Sequence, residues 1–99
     1  MSNSRQTPSE ARWTAGAQKS YNETLHRIAI QDRATLAAFE RRVIHALAIL
    51  ATQPGLGTPT ADVKVRQFAV PQTGHTLEYR IEHGTVLVVR WYRQRRKRG

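Results

Sequence analysis

Cysteine is absent from this chain of 99 residues, and that gap removes three chemistries together. No disulfide framework, no thiolate metal site and no cysteine nucleophile can be built, a pattern that suits a reducing cytosol. Acids are scarce as well: seven Asp and Glu stand against 16 Lys and Arg, a net charge of +9. Long apolar runs are missing. The best stretch, Val43 to Ala51, is interrupted by His45 and falls far short of the ~20 residues that cross a bilayer. Met1 to Pro8 lack the apolar core of a secretory signal, so a soluble, cytoplasmic protein with no membrane partner is expected. The four histidines, His26, His45, His75 and His83, are scattered without ligand spacing, and no metal site is expected. No glycine-rich phosphate loop, Ser/His/Asp arrangement or internal repeat occurs, and no cofactor is implied.

What is present is a single small domain. The length matches one core, and 39% hydrophobic with 23% charged residues is a globular rather than a disordered balance. The positive charge is unevenly spread. From Val63 to Gly99 nine Lys and Arg stand against two acids, Glu78 and Glu82, whereas residues 1–62 hold seven against five. A concentrated field of this kind suits a polyanion or an acidic protein partner; a merely solubilising tail is the plain alternative.

Residues 1–10 are polar and are expected to form a flexible leader. Thr14 is placed to cap a helix in which Ala17, Tyr21, Leu25 and Ile28 make one apolar stripe. Asp32 caps a second helix, with Leu36, Phe39, Val43, Leu47 and Leu50 as its stripe, widened by Ile44; His45 lies near it and should be partly buried. So short a break between the two predicts an antiparallel helical hairpin. Pro54, Gly55, Gly57 and Pro59 then end the helical part.

The remainder alternates at period two. Val63 to Val70 reads as one strand, and a turn through Pro71-Gln72-Thr73-Gly74 leads into the next. There Leu77, Tyr79 and Ile81 share a face. His83-Gly84 suits a tight hairpin loop. That loop sets Arg80 opposite Leu87, Tyr79 opposite Val88 and Glu78 opposite Val89. Tyr79, Val88, Ile81 and Val86 then face the helices, and Trp91 lies on the uncovered side with Glu78 and Arg80. The expected fold is α+β: an N-terminal helical hairpin packed on one face of a three- to four-stranded antiparallel sheet, the fourth strand being Ala11 to Trp13.

This order of elements, with Gln53-Pro54-Gly55-Leu56-Gly57, Val65-Arg66-Gln67-Phe68, Leu77-Glu78-Tyr79-Arg80-Ile81 and a last Val-Val-Arg strand running into Arg95-Arg96, resembles the RelE/ParE superfamily of type II toxin–antitoxin toxins. The likeness covers residues 11–96 and leaves 97–99 as a basic tail. RelE-like members are ribosome-dependent mRNA endonucleases, and their chemistry needs a proton acceptor, a cation for the phosphate and an acid for the leaving oxygen. In one such branch an arginine precedes the Leu-x-Tyr strand and a histidine closes the chain. The positions here that look like these hold Thr76 and Arg93, and an arginine with a pKa above ~12 is a poor proton shuttle.

The ParE-like branch, which poisons DNA gyrase by binding, needs no such set, and the chain resembles it more. The implied partners are gyrase and an acidic antitoxin encoded alongside, with ribosome and mRNA in the alternative; a non-toxic nucleic-acid-binding module is the reading from another class. The candidate binding residues are Arg66, Arg80, Arg90, Arg93, Arg95 and Arg96. A nuclease would draw on Arg66, Arg80, Tyr92 and Arg93, with His75, placed beside Arg66, as the histidine suited to proton transfer. Each has a plain reading too: Arg80 pairing with Glu78 or Glu82, Arg66 with Asp62 or Glu78, and Trp13, Trp91 and Tyr92 as packing.

Overall fold

A computed structural model describes residues 11–94. The expected leader at 1–10, and Arg95, Arg96 and the tail at 97–99, lie outside the described residues. The elements run β1 (Arg12–Trp13), α1 (Ala15–Gln31), α2 (Arg33–Thr52), β2 (Thr58–Pro59), β3 (Arg66–Val70), β4 (His75–Glu82) and β5 (Thr85–Arg93).

Both expected helix caps form. The Thr14 hydroxyl accepts from the Ala17 amide at 3.2 Å. Asp32 alone divides the helices: its N–H donates to the Ile28 carbonyl, while its carboxylate accepts from the Ala34 amide and the Thr35 hydroxyl. Those two bonds, the hydroxyl's first, hold its carboxyl below the usual carboxylate range. The α2 stripe buries Phe39, Val43, Ala46, Leu47 and Leu50 against Leu77, Tyr79, Val86 and Val88 of the sheet. Fully burying one such aliphatic side chain is worth about 1.5–3 kcal/mol. Ile44 and His45 are exposed instead. They sit one and two residues past Val43, about 100° and 200° around the helical wheel from it.

The sheet has five strands in the order β1-β5-β4-β3-β2 and is mixed, because β1 pairs parallel with β5. The N-terminal strand therefore exists but is not antiparallel. Its partner lies at the far end of the chain, and the helical hairpin together with β2, β3 and β4 forms the long connection between the two parallel strands. β2 arises inside the proline-glycine linker and pairs with Gln67 and Arg66. β3 starts at Arg66, not Val63, whose side chain is exposed. His83 and Gly84 both adopt positive φ, 51° and 76°, the conformation of a two-residue loop matched to strand twist.

One residue separates the expected register from the real one. Arg80 faces Leu87 and Tyr79 faces Val88, as the loop predicts, but Glu78 faces Arg90 and not Val89. Val89 has no partner: it is a β-bulge, and it turns every later side chain of β5 onto the other face. Trp91 is consequently buried to 3% exposure on the helix side, a correction of the expected outward placement. The Trp13, Tyr21, Phe39 and His75 rings pack with it, at centroid spacings of 4.8 Å for Tyr21 and 5.1 Å for His75. The indole N–H donates to the Thr24 hydroxyl at 3.0 Å, which in turn donates to the Ser20 carbonyl. Ile81 is the second exception. It projects past the helices into a cleft and remains 42% exposed.

Among the described residues no helix is long and apolar enough to cross a membrane, and no group of His, Cys, Asp or Glu is placed to hold a metal ion.

Candidate functional site

The arginines singled out in the sequence occupy three separate places. Arg66 and Arg80 line a cleft of about 560 Å³ together with Pro54, Lys64, Ile81 and Glu82. Arg66 there pairs with neither Asp62 nor Glu78: its Nη1 donates to the Gly57 carbonyl at 2.7 Å and ties the linker to β3. Arg80 donates to Glu82 at 2.6 Å, while its buried Nε has no partner among the described residues. An ion pair this exposed contributes little to stability.

The linker is held from a second side. Tyr79, 1% exposed, donates its hydroxyl to the Pro54 carbonyl at 2.7 Å and accepts the Gly57 amide at 3.0 Å. One phenol thus satisfies two backbone groups and fixes the floor of this cleft.

Arg90 and Tyr92 lie on the face of the sheet that carries no helix. Glu78 accepts from the Tyr92 hydroxyl at 3.0 Å and forms an ion pair with the Arg90 Nε at 3.3 Å. Burial, aided by the Glu78 carboxylate, pushes the Tyr92 phenol above its ordinary value, so it stays protonated and donating at neutral pH. Its hydroxyl is thereby engaged with Glu78 while the ring stays half-buried on the open face.

Arg93 emerges at the opposite end, on the helix side. His75, its partner across the strands, is therefore beside Arg93 and not beside Arg66, because the antiparallel register carries Arg66 to Tyr79. Arg93 and His75 share a second cleft, of about 340 Å³, with Arg27 of α1 and Arg42 of α2. The Arg42 Nε donates to the Gln72 side chain at 3.1 Å. His75 places Nδ1 3.0 Å from the Thr73 carbonyl; a carbonyl only accepts, so Nδ1 carries the proton and Nε2 is the ring's free polar atom. Burial first, then Arg93 and Arg27, push this imidazole below its ordinary value despite the opposing Thr73 bond. It is neutral at pH 7. Sequence reasoning passed over Arg27 and Arg42, which look like ordinary solvated helix residues until the fold brings three elements together.

The two positions that a nuclease of the resembled superfamily would use do not converge. Thr76 pairs with Tyr92 on the open face, whereas Arg93 belongs to the helix face. Nothing at these two positions forms an acid–base pair.

A family model described as the ParE toxin of type II toxin-antitoxin system, parDE, matches residues 11–98. No curated protein matches the chain. Of eight solved chains that do match, one belongs to the chromosomal ParDE TA system from P. aeruginosa. It superposes with a TM-score of 0.69 at 14% identity, covering 90% of this chain and 100% of that one.

Proposed function

The chain belongs to the ParE toxin family of type II toxin–antitoxin systems, and from that membership we propose that it arrests growth in the cytoplasm by binding and trapping DNA gyrase. A cognate acidic antitoxin encoded beside it keeps it silent. The observation that carries the choice of gyrase over mRNA is the placement of Thr76 and Arg93 on opposite faces of the sheet. A cleaving site assembled from those positions has no common side from which to act on one phosphodiester.

The antitoxin reading draws support from charge and from the solved ParDE neighbour. A chain of net charge +9 favours an acidic partner electrostatically.

Purified protein incubated with gyrase and supercoiled DNA is expected to accumulate cleaved DNA that is covalently held by gyrase, and to leave ribosome-bound mRNA intact. In cells, induction alone should stop growth with signs of DNA damage, and co-expression of the adjacent gene should restore it. Codon-phased cuts in ribosome-bound transcripts, lost on Arg66→Ala or Arg80→Ala, would replace gyrase with the ribosome as target. Normal growth at confirmed soluble expression would remove the toxin reading and leave a nucleic-acid-binding module.

Neutralising Arg95, Arg96, Lys97 and Arg98 together should weaken target binding and flatten its salt dependence. If all four cations meet duplex phosphates, the log–log slope should fall by about 3–4. Affinity unchanged at low salt, with the protein folded, would show that these charges only solubilise the chain.

A further inference from the structure

We propose that the cleft ringed by Arg27, Arg42 and Arg93 and closed on one side by His75 is a binding site for a phosphate group. Three guanidinium groups reach it from three different elements, α1, α2 and β5. Among the described residues no carboxylate lies within ion-pair distance of any of them, although Arg80 and Arg90 each find one elsewhere on the sheet. Like charges gathered around a cavity repel one another, and surface arginines without a shared task spread into solvent. Here the arrangement is held in place. Gln72 tethers the Arg42 Nε and, among the described residues, leaves its two terminal nitrogens without a partner, and strand pairing sets the Arg93 backbone opposite His75.

The ligand follows from the donors. Guanidinium forks match the paired oxygens of phosphate, and such charge-assisted bonds are roughly twice as strong as neutral ones. Three cations with no resident anion balance a multiply charged group with three or more acceptor oxygens better than a single carboxylate. The cleft is several times the volume of a phosphate and includes Ile28 and Phe39, so there is apolar room for whatever the phosphate is attached to.

His75 makes the site responsive to pH. Its ring lies against Trp91 at an 11° tilt and meets Phe39 edge-on, at centroid distances of 5.1 and 5.6 Å. The charged groups facing it are Arg27 from α1, Arg42 from α2 and Arg93 from β5. All three are cations, and Arg93 and Arg27 oppose protonation. A bound phosphate reverses that balance, so binding draws a proton onto Nε2 and tightens as pH falls through the imidazole's liganded pKa.

The proposal is independent of the gyrase reading, because its test uses this chain alone. The imidazole C–H resonance of His75 is followed by NMR through a pH titration, in inorganic phosphate and in chloride of matched ionic strength. A 5′-mononucleotide, a short single-stranded DNA and a glutamate-rich peptide form the other arms. Phosphate is expected to raise the apparent pKa of His75 by about one pH unit. Arg27→Gln and Arg93→Gln should each weaken phosphate binding about tenfold or more with the fold intact by circular dichroism, a loss of about 1.4 kcal/mol per tenfold. Lys19→Gln, which removes the same charge elsewhere on α1, should leave it unchanged. Tighter binding of the DNA than of inorganic phosphate assigns the group to a nucleic acid; equal binding assigns it to a free ligand. No movement of His75 with any phosphate compound at tens of millimolar, equal losses in Lys19→Gln, or a response to the peptide alone would each overturn the site.

Discussion

Trp91→Ala is expected to cost about 3–5 kcal/mol of folding stability. A small domain holds about 5–15 kcal/mol in all, so the variant should be largely unfolded or close to it at 37 °C. The ring lies at 3% exposure amid Trp13, Tyr21, Phe39 and His75, so its removal leaves a cavity in the aromatic core. Trp91→Phe keeps most of the apolar volume and loses only the N–H to Thr24, whose hydroxyl still has the Ser20 carbonyl. That change should cost about 1–2 kcal/mol. Urea midpoints at constant m-value give both numbers. A loss below about 1 kcal/mol for the alanine variant would place the indole on the open face, where the unbulged register puts it.

Gly57→Ala should be nearly as damaging, at roughly 2–5 kcal/mol, from overpacking added to displaced buried hydrogen bonds. A Cβ at Gly57 would stand 2.7 Å from the Tyr79 hydroxyl and 2.8 Å from the Gln67 carbonyl. The first contact lies at the end of a ring that is itself fixed, and the second is strand backbone. Neither can retreat without breaking the Tyr79 bridge to Pro54 or the pairing of β2 with β3. Tyr79→Phe alone should cost about 1–3 kcal/mol, because the Gly57 amide and Pro54 carbonyl lose their shared partner. In a Tyr79→Phe background, Gly57→Ala should cost less than it does alone, since part of the clash has gone. Strict additivity in that cycle would mean that the hydroxyl and the glycine do not meet.

The local rules of the sequence reached far. Thr14 and Asp32 announce their helices because a capping side chain acts within three residues of itself, and His83-Gly84 sets its hairpin for the same reason. What stayed hidden depends on distant neighbours. β1 finds its partner some 75 positions along the chain, through the Thr14 amide and the Val88 carbonyl, and nothing near Arg12 encodes that choice. The bulge at Val89 is invisible to period-two counting, since valine is equally at home in a regular strand. Ile44 looked like core because its residue type fits, and the wheel, not the type, decides exposure. The candidate site divides in the same way. Arg93 was picked out by its place in a basic run, whereas Arg27 and Arg42 become partners of His75 only through the packing of both helices on the sheet.

The unpartnered Val89 acts on side chains as a frameshift acts on codons. Before it, the helix-facing positions of β5 are Val86 and Val88; after it they are Trp91 and Arg93, so the spacing lengthens once from two to three. A one-residue deletion there would exchange the aromatic core for the polar Tyr92 face along the last third of the strand. An insertion or deletion at this point keeps an aromatic core only if the residues after it are changed as well. Aligning this strand by residue count with one that lacks the bulge also assigns every later position to the wrong side of the sheet. For a chain whose functional comparison turns on what stands at Thr76 and Arg93, correspondence has to be read from the paired backbone.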